Sequence, residues 1–188
     1  MRDIFRMLAV LAVIGGLSGG LLAGVYRIAK PLIEEQRAKA LEEAVFTVLP
    51  EAVDYRRLEK EGVVLYQGLD TTGEPVGLAF TASGGGYQGE IILMVGVDNN
   101  LTRSTGMTVL ENVETPGLGG KITGKSFQDQ FKGLLVVPEI ELVKGKKPER
   151  DNQVQAITGA TISSQAIVEI INKRLSEVLK AFQQGEHR

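Results

Sequence analysis

Three hydroxyl side chains, Thr158, Thr161 and Ser163, surround Gly159 and Ala160 just ahead of a segment whose apolar positions recur at helical spacing. Ile167, Val168, Ile170, Ile171, Leu175, Val178, Leu179 and Phe182 form the apolar set, with Glu169, Lys173, Arg174, Glu177 and Lys180 between them. The pattern predicts an amphipathic helix starting near Ser163. The first N–H groups of a helix lack intrahelical acceptors and carry the positive end of its dipole, so the turn before it suits an anion such as a phosphate. Gly159 and Ala160 keep that turn free of bulk. Ser and Thr are also ordinary helix caps, and Thr161 or Ser163 could fill that role alone.

Two glycine-rich segments stand upstream. In residues 111–122, Pro116-Gly117 dictates a turn and Gly119-Gly120 keeps the following loop open to close approach by a flat ligand. A plain connection after a strand would need no more than this. Gly86-Tyr87-Gln88-Gly89 precedes a second apolar run that ends at Val97.

Thr158-Gly159-Ala160-Thr161 resembles the flavinylation motif, in which the last hydroxyl is joined to the phosphate of FMN. The string from Glu114 to Gly120 resembles the Glu-Thr-Pro-Gly-Leu-Gly segment of the flavin-carrying G subunits of Rnf complexes and of the related C subunits of sodium-pumping quinone reductases. The Gly86 segment is similar to the same family's Gly-Tyr-x-Gly strand, and all three occur in the family's order. Asn112, Gly120 and Thr158 depart from the family's commoner His, Asp and Ser. The resemblance, which covers most of the chain at similar length, implies FMN held by a phosphoester to Thr161. It places Thr158, Gly159, Ala160 and Ser163 on the phosphate side, and Thr115, Pro116, Gly117, Leu118 and Gly119 beside the ring. Tyr87 either touches the ring or packs as a half-buried core residue. Glu114 belongs to the same cofactor-binding set. Glu111 and Glu114 would recognise a transferase, tune the flavin or solvate the loop, and the last is the simplest expectation.

What positions these residues begins with the composition. The chain has no Cys, no Trp and one His, His187 near the carboxyl end, read as a solvated tail residue. Protein-ligated iron–sulfur clusters and typical zinc sites are thereby excluded, no metal site is expected, and any redox role needs an organic cofactor.

Residues 7–26 contain no charged side chain, a run of 20 positions that at about 1.5 Å per residue crosses a hydrocarbon core of about 30 Å. A transmembrane helix over about 7–29 is expected. Arg2 and Arg6 ahead of Ser18, Gly19 and Gly20 would also suit a cleaved leader, but the apolar run continues past them to Val25. Gly16, Gly20 and Gly24 recur every fourth residue, either as a packing face or as the glycine common in membrane helices. Basic residues flank both ends of the span. The resemblance, not the charge count, implies a single pass of the cytoplasmic membrane with the flavin domain outside.

Without residues 1–30 the chain holds 17 basic and 22 acidic residues, a formal net charge of −5, which disfavours nucleic acid. The basic cluster of Lys144, Lys146, Lys147 and Arg150 reads as a solvated loop. Three regions are expected: 1–30 as tail and span, 31–50 as an amphipathic helical stalk, and 51–188 as the FMN-binding domain. Pro31 suits a first helical turn, and Pro50 ends the stalk. Strands are predicted at 63–66, 76–81, 89–97 and 101–110, with Asp98-Asn99-Asn100 as a tight connection, and near 139–143. The continuous run Ile91 to Val95 predicts a strand covered on both faces. A short helix at 124–131, with Ser126 as a possible cap and Phe127 and Phe131 inward, completes an α+β domain with a mainly antiparallel sheet and flanking helices.

No base near Thr161 could activate its hydroxyl, so a separate flavin transferase is implied, along with other membrane proteins of such a complex as partners. The expected function is an electron-carrier component of an ion-translocating ferredoxin:NAD oxidoreductase, not catalytic alone. The alternatives are the C component of a sodium-pumping quinone reductase, a flavin-bearing regulator, or a non-redox membrane-anchored interaction module.

Overall fold

The computed structural model describes residues 2–183, so His187 lies outside the described residues. The chain divides into two compact units, one up to Ala40 and one from Leu41 onward.

Helix α1 (Arg2–Val48) supplies the whole of the first unit. Its large apolar side chains from Ile4 to Ile33 are exposed. By length and composition it is the one helix among the described residues able to cross a membrane. Pro31 lies inside α1, where a first turn was expected. Proline removes one backbone hydrogen bond, but the flanking Leu, Ala, Glu, Lys and Arg are strong helix formers and the helix runs through.

The second unit is an antiparallel meander of five strands in chain order: β1 (Asp54–Lys60), β2 (Val63–Leu69), β3 (Pro75–Gly85), β4 (Glu90–Val97) and β5 (Ser104–Asn112). Strand β1 is not foreshadowed by the hydropathy pattern. It pairs from Asp54 with Leu69 to Lys60 with Val63, and its sequence DYRRLEK carries the charge of an edge strand, with half-buried Tyr55, Leu58 and Lys60 spaced three and then two residues apart, so that no alternation marks it. The β4–β5 connection is longer than expected. Leu101 is buried in it with φ 57° instead of starting a strand, because Asp98 folds the loop by accepting the N–H groups of Thr102 and Arg103 at 2.7 and 3.1 Å.

The two faces of β4 enter separate apolar layers, as its unbroken run predicts. Ile91, Leu93, Val95 and Val97 pack with Leu65, Phe80, Phe127, Phe131, Ile167 and Ile171. Met94 and Ala79 pack against Ala44, Val45, Val48 and Leu49 at the carboxyl end of α1. Each fully buried Leu, Ile, Val or Phe contributes about 1.5–3 kcal/mol, so the sheet is fixed from both sides. Glycine makes room for α1: a Cβ at Gly96 would lie 2.5 Å from the Val48 carbonyl oxygen, and one at Gly68 2.8 Å from Leu49.

After β5 come a 3-10 turn (Gly119–Thr123), the short α2 (Lys125–Gln128) and a further 3-10 turn (Asp129–Phe131). Phe127 and Phe131 are buried edge to face, with centroids 5.5 Å apart. Gly124, not Ser126, occupies the cap position of α2, and no side chain caps it. Strands β6 (Glu141–Val143) and β7 (Gln153–Gln155) form a parallel pair. The final helix, α3 (Thr161–Gln183), buries Ile167, Val168, Ile170, Ile171, Leu175 and Val178. The result is the α+β domain expected, with helices flanking a mainly antiparallel sheet.

Candidate functional site

The turn before α3 is built by local hydrogen bonds. Ala160 N–H donates to the Ile157 carbonyl at 2.9 Å, closing a turn with Gly159 in its third position at φ 83°. A positive φ there is what a type II turn requires, and glycine supplies it without strain. A Cβ at Gly159 would meet nothing within 4 Å, so within the chain itself the backbone conformation is what calls for glycine here.

Helix α3 begins two residues earlier than predicted, at Thr161. Ala160 takes the cap position, its carbonyl accepting the Ser164 N–H at 2.9 Å. Neither Thr161 nor Ser163 is the cap. Ser164 instead secures the turn, accepting Ile157 N–H at 3.1 Å and donating to the Ala160 carbonyl at 2.9 Å. Thr161 is the first helical residue and half-buried, beside exposed Ile162.

Ser163 is buried and donates its hydroxyl to Glu114 Oε2 at 2.6 Å. Glu114 is the main correction to what the sequence suggests: it is buried, with 5% of its surface exposed, and does not solvate a loop. Its Oε1 accepts the backbone N–H groups of Tyr87 and Gln88 at 2.7 and 2.9 Å. Burial pushes this carboxyl towards its neutral form, but hydrogen bonds from Ser163, Gln88 and Tyr87 outweigh burial and hold it below its ordinary value of 4.5. Space for the carboxylate comes from two glycines. A Cβ at Gly86 would lie 2.5 Å from Oε1, and one at Gly119 would collide with Oε2 and with Ser163 Oγ.

Thr115 to Leu118 form the turn foreseen from Pro116-Gly117, with Leu118 N–H donating to the Thr115 carbonyl at 3.1 Å and Gly117 at φ 78°. Gly119 then enters the 3-10 turn; the glycines do not make an open loop. Asn112 accepts the Glu114 N–H at 3.1 Å and fixes the bend after β5.

These three segments wall one cleft of about 380 Å³, a size typical of small-molecule sites. Tyr87, Glu114, Thr115, Leu118, Gly119, Gly159, Ala160, Thr161 and Ser163 line it. Thr158, Pro116 and Gly117 lie outside its lining and shape the two turns. Gln88 and Ile162, which no motif singles out, also line it. Their signal was adjacency alone: Gln88 sits between Tyr87 and Gly89, and Ile162 between the two hydroxyls. Tyr87, Leu118 and Ile162 are 65%, 53% and 61% exposed. Tyr87 is therefore no core residue, and the cleft has an apolar rim facing solvent, with the start of α3 at one end.

The cleft fits a flat aromatic group with an anionic tail. Tyr87, Leu118 and Ile162 offer apolar surface, glycine backbone permits close approach, and the start of a 23-residue helix favours a phosphate beside the Thr161 hydroxyl.

Residues 86–176 match the FMN-binding domain family. The chain is 33% identical over 185 residues to the G subunit of the ion-translocating oxidoreductase complex of Methanosarcina acetivorans, covering 94% of this chain and 95% of that one. It is 31% identical over 187 residues to the G subunit of the Na(+)-translocating ferredoxin:NAD(+) oxidoreductase complex of Acetobacterium woodii, covering 91% and 89%. The crystal structure of the C subunit of the Na(+)-translocating NADH-quinone reductase from Parabacteroides distasonis superimposes with a TM-score of 0.57 at 27% identity, over 63% of this chain and 61% of that one.

Proposed function

The chain belongs to the G-subunit family of Rnf-type ion-translocating oxidoreductases with an FMN-binding domain, and from that premise we propose that it carries FMN covalently, as a phosphoester on Thr161, and serves as a membrane-anchored electron carrier. The observation that supports this reading best is the convergence of all three sequence segments on one cleft, with the Thr161 hydroxyl in its wall at the start of α3. Bound FMN supplies a ring that accepts and releases electrons, and the protein supplies its position.

Each group then has a defined task. The first turn of α3 stabilises the single negative charge of the phosphodiester. Gly159 holds the turn that presents Thr161. Tyr87, Leu118 and Ile162 give the ring apolar walls, and Thr115 and Gly119 line the same cleft. Thr158, Pro116 and Gly117 act through the turns they form. Among the described residues no base hydrogen-bonds the Thr161 hydroxyl, and an unactivated hydroxyl is a weak nucleophile, so a flavin transferase installs the group. Helix α1 anchors the chain in the cytoplasmic membrane by a single pass, with the flavin domain on the extracytoplasmic side and the other proteins of the complex around it.

Thr161→Ala tests the attachment. The Thr161 side chain makes no cap, so stability should change by no more than about 0.5 kcal/mol, while flavin fluorescence on a denaturing gel should vanish. Fluorescence that persists in this variant would assign the flavin to another residue.

A further inference from the structure

Glu114 occupies a singular place. Its carboxylate reaches Tyr87 and Gln88 from β3–β4, stands in the loop after β5, and receives the hydroxyl of Ser163 in the first turn of α3. Sequence separations of 26, 27 and 49 residues are thus closed by one side chain. Gly86 and Gly119 are shaped around its two oxygens. A buried carboxylate is costly unless its oxygens are hydrogen-bonded, and here both are. The apolar core meets this carboxylate at Gly86, where an added Cβ would lie 2.5 Å from Glu114 Oε1 and 2.6 Å from Ile91 Cδ1. The residues that hydrogen-bond Glu114, namely Tyr87, Gln88 and Ser163, all line the cleft.

We propose that Glu114 is the positioning residue of the site, a clasp that locks the Tyr87–Gln88 turn, the Thr115–Gly119 turn and the start of α3 into one preformed cleft and so fixes the orientation of the flavin ring. The inference rests on the FMN reading for its second half, the ring; its first half, the clasp, stands in the unflavinylated chain.

The test uses the full-length protein with and without co-expressed flavin transferase. In the unflavinylated chain, Glu114→Ala should speed hydrogen exchange at the Tyr87 and Gln88 amides by tenfold or more, with exchange at Leu93 and Met94 in β4 unchanged. At equal covalent occupancy, the visible circular dichroism of the flavin should fall by more than half. Glu114→Gln, which keeps an acceptor for the two amides and a partner for Ser163, should restore both readouts to within twofold of wild type. If Glu114→Ala unfolds the domain, seen as faster exchange in β4 as well, Glu114→Asp decides. It keeps the charge on an arm too short to span both sides, and should show the local rise alone. Wild-type exchange at Tyr87 and Gln88 in Ala, or in Asp where Ala unfolds, would overturn the clasp. Altered exchange with unchanged dichroism would overturn its role in orienting the ring. A wild-type chain without flavin would defeat the FMN reading, while the exchange measurement still judges the clasp.

Discussion

Glu114 is a buried acid that the protein keeps ionised, and this gives the domain a pH dependence whose sign follows from its partners. Burial alone would raise its pKa, but hydrogen bonds from Ser163, Gln88 and Tyr87 lower it below 4.5. A carboxyl that is more acidic folded than unfolded stabilises the fold above its unfolded value, about 4.3 for Glu, and that contribution fades as pH falls through the folded value. Unfolding free energy, measured by urea titration, should therefore drop as pH is lowered from about 5 towards 3. Asp70 is also held low by hydrogen bonds, and Asp129 and Glu141 by hydrogen bonds and cationic neighbours, so part of the slope should survive in Glu114→Gln. A slope identical to wild type in that variant would contradict the account. Little of this was legible in the sequence. Glu114 stands between Val113 and Thr115 before a Pro-Gly turn, where a charged side chain normally meets solvent. Only the fold reveals that Gly86 and Gly119 leave space for its carboxylate. The place of Thr161 at the start of a helix was legible, because the amphipathic pattern behind it announces that helix.

At the scale of elements, α3 is both the floor of one apolar layer and the carrier of the candidate attachment residue. Its periodicity was strong enough to predict nearly the whole helix, and the set from Ile167 to Val178 is buried as expected. Ile171 is 1% exposed and packs within the layer that contains β4. Ile171→Ala should cost about 2–5 kcal/mol, the range for large apolar side chains cut back in a core. A loss below about 1 kcal/mol in urea unfolding would mean that α3 is not held to the sheet as described. The central strands were equally clear, because a continuous apolar run such as Ile91 to Val95 has few other uses. Strands β1 and β7 were not. The first is a charged edge strand whose half-buried residues, Tyr55 and Leu58, fall on opposite faces, and the second has three residues, too few for any period to register. The caps failed for a related reason: Ser and Thr at a helix start read as caps, yet Ser163 and Ser164 spend their hydroxyls on Glu114 and on the turn.

For the whole molecule, the long apolar helix and the acidic domain were legible from composition, and membership of the G-subunit family from three short strings in order. The side of the membrane was not, since basic residues flank both ends of the apolar run. Placement outside the cytoplasm predicts that protease added to intact spheroplasts digests the domain, detected as loss of full-length chain; protection that ends only on lysis would put the domain inside. The central claim is narrower and more direct. Peptide mass spectrometry on protein purified from its native membrane should find FMN, less one water, on Thr161 within the peptide spanning residues 158–164. An unmodified Thr161 in cells with an active flavin transferase would contradict the account.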